Sequence, residues 1–297
     1  MPRAALLSIH ARVAGAGPTA WADPSLVQLW GPRYSVFVVA GRDLAPFSLG
    51  TMPDDAKGRR RAEDLAARLH DLLGDGEVRL TYAEAGHALG VPPNSLRYAA
   101  ATGTVLIRWE GARAPTIWTV PPPRMSEARA RLDLARRYLH IYGPTTGPSF
   151  RRWAGIGTRG AAATFQDLAP TLTPVRTPIG DAWILTEDEP SFRADPGRVA
   201  PARLLPSGDA YYLLHGSERD LLVTDPARRD QLWTSRVWPG ALLVDGLAPA
   251  PRGRPGRRGL ERLRRSLLGD SGVPYAVASC ARALVARRRT PIARGSA

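Results

Sequence analysis

The side chains best suited to chemistry in this sequence lie close together at 94–98, in the segment Asn-Ser-Leu-Arg-Tyr. Asn94 and Arg97 can hydrogen-bond to base edges or to phosphate oxygens, and Tyr98 can stack on a base. Ser95 adds a hydroxyl that can bind a phosphate. These groups bind and position rather than break bonds, and whether they meet a nucleic acid depends on the elements that carry them.

The residues before and within this segment predict two helices with a tight turn between them. Thr81 is suited to cap a short helix, and Gly90 is suited to end it. The prolines at 92–93 cannot extend that helix, so the chain must turn there. Asn94 or Ser95 would then cap a second helix. In a helix-turn-helix, the first residues of the second helix meet base edges in the major groove.

A β-hairpin is predicted directly after the second helix. Residues 104–109 and 116–120 have the composition of strands, and the loop between them contains a glycine. Arg108 and Arg113 belong to this hairpin, where they could reach phosphates or a minor groove. Helix, turn, helix and hairpin in this order predict a winged helix. The alternative is a small packing module whose arginines are only solvated.

A second unit with the same order of elements follows a Pro-Pro-Pro linker. Its first helix is predicted to begin at Ser126, and a short helix follows in which Phe150 and Trp153 face inward. Arg151 and Arg152 face outward on that short helix, where they either contact a phosphate backbone or form a solvated face. A third helix and a second hairpin complete the pattern.

Together these elements predict an α+β fold of tandem winged-helix modules followed by a small β-rich C-terminal domain. The expected domains are an N-terminal region of helix and strand at 1–75, with a truncated winged helix as one interpretation, a winged helix at 76–123, a second at 124–198, a β-rich domain at 199–246 and a basic, disordered tail at 247–297.

Composition limits the possible classes of protein. The chain has 297 residues and 44% hydrophobic content, so it can form a globular core. Cys280 is its one cysteine, which excludes an intramolecular disulfide framework. No apolar run is long enough to span a membrane, and we expect a cytoplasmic, nucleoid-associated monomer. Arginine accounts for all basic residues except Lys57, which is typical of a bacterial genome of high GC content.

The net charge of +14 is distributed unevenly. Residues 247–297 contain 12 arginines and two carboxylates, so they carry +10 of this charge and the preceding body carries only +4. One interpretation of this segment is a disordered basic arm that raises nonspecific DNA affinity by counterion release. The other is an out-of-frame reading of the end of the gene, since the composition changes abruptly at Leu247.

Three segments carry a resemblance to a known family. They are RRYLHIYGPTTGPSFRRWAGI at 136–156, ARLLPSGDAYYLL at 202–214 and WPGALLVDG at 238–246. In combination they resemble the winged-helix proteins related to the bacterial DNA glycosylases AlkZ and YcaQ, over residues 6–246. The resemblance implies tandem winged helices around a DNA-binding channel. It also implies hydrolysis of the N-glycosidic bond of alkylated or crosslinked purines, with double-stranded, damaged DNA as the partner.

The resemblance does not extend to the family's catalytic motif. Members carry Gln-x-Gln or Gln-x-Asp near the N-terminus, which positions the attacking water and stabilises charge on the sugar. Gln28, Gln166 and Gln231 are each isolated here. In the family this motif directly precedes a segment like PRAALLSIHAR, which begins here at Pro2, so we expect an internal start with a helix missing upstream. The catalytic residues are therefore unknown.

Other chemistries find no support in the residues. The five histidines are dispersed without metal-ligand spacing, and no phosphate-binding or dinucleotide-binding glycine motif occurs, so neither a metal nor a cofactor is predicted. Asp209 is interpreted first as a structural turn residue. Three functions remain open: a winged-helix DNA-binding protein related to the glycosylases, an active DNA glycosylase, and a winged-helix transcriptional regulator.

Overall fold

The structure is a computed structural model that describes residues 2–13, 15–76, 78–110, 113–195, 203–212, 218–223, 225–233, 240–244 and 247–251. The predictions for His215, Cys280 and residues 252–297 lie outside these residues. Mixed helices and small antiparallel sheets confirm the α+β class.

The N-terminal region combines a helix with a two-stranded hairpin. Helix α1 spans Pro2–His10, and strands β1, Leu26–Trp30, and β2, Val36–Ala40, pair antiparallel with Trp30 opposite Val36. A short helix α2, Leu44–Phe47, follows the hairpin.

The first helix-and-sheet unit has six elements. In chain order they are α3 Ala56–Leu73, β3 Leu80–Thr81, α4 Tyr82–Ala88, a 3₁₀ helix Pro93–Thr102, β4 Val105–Arg108 and β5 Thr116–Thr119. The last strand lies in the middle of the sheet, so the order is β3-β5-β4 with all neighbours antiparallel. The predicted hairpin therefore forms, with a third strand added by the two residues before α4.

Local sequence explains where these elements begin. The Thr81 hydroxyl accepts a hydrogen bond from the Glu84 backbone N–H at 3.2 Å, and the Glu84 carboxylate accepts one from the Thr81 backbone N–H at 2.8 Å. This capping box confirms Thr81 as the helix cap. The next helix differs from the prediction in two ways. It is 3₁₀ rather than α, and it begins earlier than predicted, at Pro93, whose fixed φ suits the first helical position. Pro92 therefore occupies the N-cap position, and Asn94 and Ser95 lie inside the helix instead of capping it.

The second unit repeats this order. Its elements are α5 Glu127–Tyr142, α6 Gly147–Ala154, α7 Thr158–Leu168, β6 Leu172–Thr177 and β7 Gly180–Leu185. Ser126, where the helix was predicted to begin, caps α5, with its hydroxyl accepting from the Arg129 backbone N–H. Thr145 forms an isolated antiparallel bridge to Trp183 of β7. As in the first unit, the last strand thus lies between the preceding strand and a residue before the second helix.

The remaining elements form a mixed unit. They are α8 Glu189–Arg193, β8 Arg203–Leu205, α9 Glu218–Leu222, α10 Pro226–Leu232, β9 Ala241–Val244 and β10 Leu247–Pro251. The predicted β-rich region at 199–246 therefore also contains helices, since the apolar run at 221–225 includes the end of α9. Strand β10 pairs with β9, so the ordered pairing extends five residues past the expected boundary at 246.

Two large cores stabilise these units. The first unit packs Leu69, Leu96 and Ile117 without solvent exposure, and the second packs Leu134, Phe150 and Leu168 in the same way, with the β1–β2 hairpin contributing to both cores. Helix α1 packs elsewhere, since Ala11, just after it, contacts the small core of the C-terminal unit. The two ends of the described chain are therefore in contact.

Candidate nucleic-acid interface

The 3₁₀ helix separates its apolar and polar residues onto two faces. Leu96 and Ala99 are fully buried, whereas Asn94 is exposed and Ser95 half-buried. The Asn94 side-chain oxygen accepts a hydrogen bond of 3.2 Å from the hydroxyl of Tyr82, which orients the amide. The polar face that would meet a ligand is thus fixed by the buried one.

Arg97 and Tyr98 belong to a compact cluster with two residues that sequence reasoning did not assign to the site. The Arg97 Nη2 donates to the Tyr98 hydroxyl at 3.3 Å, and the Arg61 guanidinium carbon lies 3.5 Å from the centroid of the Tyr98 ring. Tyr34 packs edge-on against Tyr98, with 4.8 Å between ring centroids. We call Arg61, Arg97, Tyr34 and Tyr98 the arginine–tyrosine cluster.

The electrostatics of this cluster favour positive charge. The hydrogen bond from Arg97 lowers the pKa of Tyr98, and Arg61 acts in the same direction. Burial raises the pKa of Tyr34, and Arg61 opposes this rise. Tyrosine ordinarily titrates at about 10, so a phenol in its usual form carries no charge near neutral pH. The two guanidinium charges are therefore not cancelled by the groups that orient them.

Other arginines of the described chain are held by carboxylates instead. Such ion pairs join Arg59 to Glu127, Arg131 to Asp54, Arg137 to Asp43, Arg129 and Arg136 to Asp133, and Arg12 to Asp209. Several of them connect helices far apart in sequence, such as α3 to α5 through Arg59. These arginines are neutralised and act as links between elements. No described carboxylate forms an ion pair with Arg61 or Arg97.

The two arginines predicted on the hairpin share one acidic partner. The Arg108 Nε lies 2.8 Å from a carboxylate oxygen of Glu110, and the Arg113 guanidinium lies 3.9 Å from the other oxygen. Arg113 is largely exposed, with 84% of its side chain accessible. Glu110 thus reduces the positive charge that this hairpin presents.

Arg151 and Arg152 lie on α6 at a distance from the 3₁₀ helix in sequence. Phe150 and Trp153 of the same helix are buried as predicted, which directs Arg152 to solvent and leaves Arg151 half-buried. Arg152 also donates to the Ser149 hydroxyl at 3.0 Å. The predicted site residues therefore lie in three separate groups, one on the 3₁₀ helix, one on the hairpin and one on α6.

The turn between β1 and β2 connects two of these groups. Arg33 and Tyr34 are consecutive non-glycine residues with φ of +55°, a left-handed conformation that is costly for residues with a Cβ. Gly155, at the end of α6, permits this turn to approach, since a Cβ there would lie 2.9 Å from the Arg33 Cγ. Tyr34 on the other side contacts Tyr98. The turn thus lies between α6 and the 3₁₀ helix.

Asp209 lies at a different place, where α1 meets the C-terminal unit. Its carboxylate accepts two hydrogen bonds from Arg12, at 2.6 and 2.9 Å, one from the Ser8 hydroxyl at 2.5 Å and one from the Tyr211 backbone N–H at 2.8 Å. The Asp209 side chain is fully buried. All of its oxygens are engaged, as expected for a structural residue.

Tyr142 lies beside this ion pair. Its hydroxyl donates to the Ala210 carbonyl at 2.6 Å. Burial and the Asp209 carboxylate raise its pKa, so the phenol stays protonated. It can donate a hydrogen bond, but it cannot act as a base at neutral pH.

Gln28 has a structural role in β1. Its side-chain oxygen accepts from the Trp109 backbone N–H at 3.0 Å, and its amide faces the Trp109 carbonyl at 3.4 Å. Since Gln28 is buried, it joins β1 to the end of β4 rather than facing a substrate. Gln166 and Gln231 are exposed on α7 and α10.

Arg61 lies in a run of three arginines at 59–61, and such a run is usually a solvated helix face. The spacing of Arg61 on α3 gave no signal of a site, because its partners come from two other elements. Tyr34 had one available signal, a Gly-Pro pair between two apolar strands that indicates a tight turn.

Two further classes of site find no support in the described ranges. No group of three or more histidine, cysteine or acidic side chains is placed there to bind a metal ion. Nor does any helix of that part have the length and apolar character needed to cross a membrane.

The secondary structure defines an α+β protein. Small units of helices and antiparallel sheets follow one another along its chain. A family model described as DNA glycosylase AlkZ-like matches residues 1–250. The chain belongs to this AlkZ-like DNA glycosylase family, and membership implies that it binds DNA and is related to DNA repair glycosylases.

One solved structure supports the fold. The Streptomyces sahachiroi DNA glycosylase AlkZ is similar, with a TM-score of 0.64 and 19% sequence identity, over 89% of this chain and 81% of that chain. At this identity the likeness shows the fold alone. No curated protein matches the chain.

Proposed function

We propose that this chain binds double-stranded DNA, including damaged DNA, through winged-helix units. The observation that carries the proposal is the repeated arrangement of elements. In both units a helix precedes two shorter helices and a hairpin, and the last strand lies between the other strand and a residue before the second helix. In such units the third helix enters the major groove and the hairpin contacts the backbone.

The predicted residues fit this arrangement with distinct roles. Asn94 and Ser95, at the start of the 3₁₀ helix, are the candidates for base edges, and Arg97 and Tyr98 follow on the same helix. Arg108 and Arg113 on the hairpin are candidates for phosphates. Arg151 and Arg152 are candidates for a second backbone contact on α6.

The reaction that best fits the family is hydrolysis of the N-glycosidic bond of an alkylated or crosslinked purine. Family membership supports it, and no catalytic residue is assigned to it, because Gln28 is occupied with Trp109 and Asp209 with Arg12. A noncatalytic protein of the same family is the alternative. Both the glycosylase and the noncatalytic protein would act on chromosomal DNA, so we propose that the protein is located at the nucleoid.

Binding and cleavage can be tested on the same molecules. The full chain and a version ending after Pro251, which retains β10, are mixed with a duplex containing one 7-methylguanine and with the undamaged duplex. Heating in alkali then reveals abasic sites. We expect both proteins to bind both duplexes, and strand breaks at the lesion would establish the glycosylase activity.

Two other outcomes decide between the remaining possibilities. Binding by the shortened chain without breaks would support a noncatalytic DNA-binding protein. Binding by the full chain alone would attribute the affinity to residues 252–297 and refute the proposed role of the winged-helix units.

A further inference from the structure

The arginine–tyrosine cluster contains two cations that converge on one phenol. The guanidinium carbons of Arg61 and Arg97 lie 3.5 and 5.2 Å from the centroid of the Tyr98 ring. Arg97 donates to the Tyr98 hydroxyl, and Arg61 is close enough to the same phenol to lower its pKa. Two like charges are therefore held against a single side chain, with Arg61 over the face of the ring and Arg97 at the hydroxyl.

The orienting partners of these two arginines are neutral. An arginine that is held by a carboxylate, such as Arg59 by Glu127, has little charge left for a ligand. A tyrosine orients a guanidinium through ring stacking and a hydrogen bond without cancelling its charge. Arg61 and Arg97 thus retain donors and charge that suit a phosphate, for which arginine provides paired N–H groups.

Tyr34, the fourth residue of the cluster, is held in place by a backbone turn of unfavourable conformation. Tyr34 packs against Tyr98 from the turn where both Arg33 and Tyr34 adopt left-handed backbone conformations. Such backbone conformations are unfavourable for residues with a Cβ and are concentrated at functional sites. The backbone of the turn thus fixes Tyr34 beside the two cations.

We propose that Arg61 and Arg97 together bind one phosphodiester of the DNA backbone beside Tyr98, with Tyr34 packed against the Tyr98 ring. This inference rests on the proposed DNA-binding function and assigns a contact to α3, which the sequence did not. Tyr98 then acts as a platform for two arginines. The site is indifferent to base sequence, because it contacts only the backbone.

The experiment measures the affinity for an undamaged duplex as a function of salt concentration. Each phosphate neutralised contributes about 0.9 to the slope of log affinity against log salt concentration. The proteins are the full chain, Arg61→Gln, Arg97→Gln and the double variant. Arg60→Gln is the matched control, since Arg60 is exposed beside Arg61 on α3 and carries the same charge outside the cluster.

If both arginines bind one phosphate, the double variant should lower the slope by about 0.9 in total, and each single variant should lower it by less, because the remaining arginine still faces the same phosphate. Arg60→Gln should leave the slope close to that of the wild type. Tyr98→Phe retains the ring and removes the hydroxyl, so we expect it to lower affinity about two- to tenfold through the loss of one hydrogen bond.

Three results would overturn the inference while leaving DNA binding intact. They are an unchanged slope in the double variant, an equal effect of Arg60→Gln, and additive single effects that lower the slope by about 1.8, which would mean two separate phosphates. A wild-type chain that binds no duplex would instead overturn the proposed function, and the inference with it. Thermal unfolding of each variant verifies that it is folded.

Discussion

Replacing Asp209 with asparagine tests whether this residue is structural or catalytic. Asparagine preserves the shape of the side chain, so it can still accept a hydrogen bond from the Tyr211 backbone N–H. It removes the charge that pairs with Arg12 through two contacts of 2.6 and 2.9 Å. Arg12 would then remain partly buried without its counterion.

The magnitude follows from the burial of the pair. Removal of one partner from a buried ion pair costs about 3–5 kcal/mol. The Asp209 side chain has no exposed surface, but Arg12 keeps 25% of its side chain accessible, so water can solvate part of the released charge. We therefore expect the lower end, about 3 kcal/mol. In a domain of 150–250 residues this corresponds to a decrease in Tm of about 6–12 °C.

Thermal unfolding followed by circular dichroism measures this effect, and Asp181→Asn is the matched control. Asp181 pairs with Arg176, but both side chains are more than 60% exposed, so its replacement should change stability by less than about 0.5 kcal/mol. Arg12→Gln should also be destabilising, and the double variant should lose less than the sum of the single variants.

DNA binding well below the unfolding transition separates the two roles. A structural Asp209 predicts that folded Asp209→Asn binds duplex DNA as the wild type does and that any glycosylase activity is retained. A Tm within about 1 °C of the wild type, or no greater change than in Asp181→Asn, would refute the reasoning from burial.

The remaining predictions concern the first unit. Thr81→Ala should cost about 1 kcal/mol by removing the capping box with Glu84, as measured by urea unfolding, and equal stability would show that the box contributes nothing. Ile117→Ala should cost about 2–5 kcal/mol because Ile117 is fully buried in the central strand β5, and a loss below about 1 kcal/mol would contradict this core assignment. Glu110→Gln should raise duplex affinity and its salt slope by releasing Arg108 and Arg113, whereas a decrease would place the hairpin away from DNA. Because Arg97 lowers the pKa of Tyr98, the phenolate should form below the usual tyrosine range near about 10, and its negative charge should then offset the arginines. Duplex affinity should accordingly begin to fall at lower pH in the wild type than in Tyr98→Phe, and identical pH profiles would contradict the assignment.

Much of the local structure could be predicted from the sequence. Thr81 caps α4 as expected, α5 begins with its cap at the predicted Ser126, and Phe150 and Trp153 are buried at their i, i+3 spacing. The β4–β5 hairpin also forms as predicted, with its strands at 105–108 and 116–119. These features depend on residues a few positions apart, so a short stretch of sequence contains nearly all the information that determines them.

Other features required contacts between distant residues. The run at 221–225 has the composition of a strand, yet Leu222 ends α9 and contributes to a small core with Leu232 and Ala241. The type of the 3₁₀ helix was also missed, although its polar and apolar faces were predicted. In both cases packing against the surrounding elements overrides a weak local preference.

The sequence by itself determined the order of the elements, the buried faces of several helices and the candidate residues on the 3₁₀ helix. It could not determine which arginines have their charge balanced by a neighbouring carboxylate. Arg59 and Arg61 are two positions apart on α3, yet Arg59 pairs with Glu127 of α5 and Arg61 stacks on Tyr98. Only the tertiary structure decides this, because the electrostatic environment of a side chain is set by groups that folding brings within a few ångströms of it, whatever their separation along the chain.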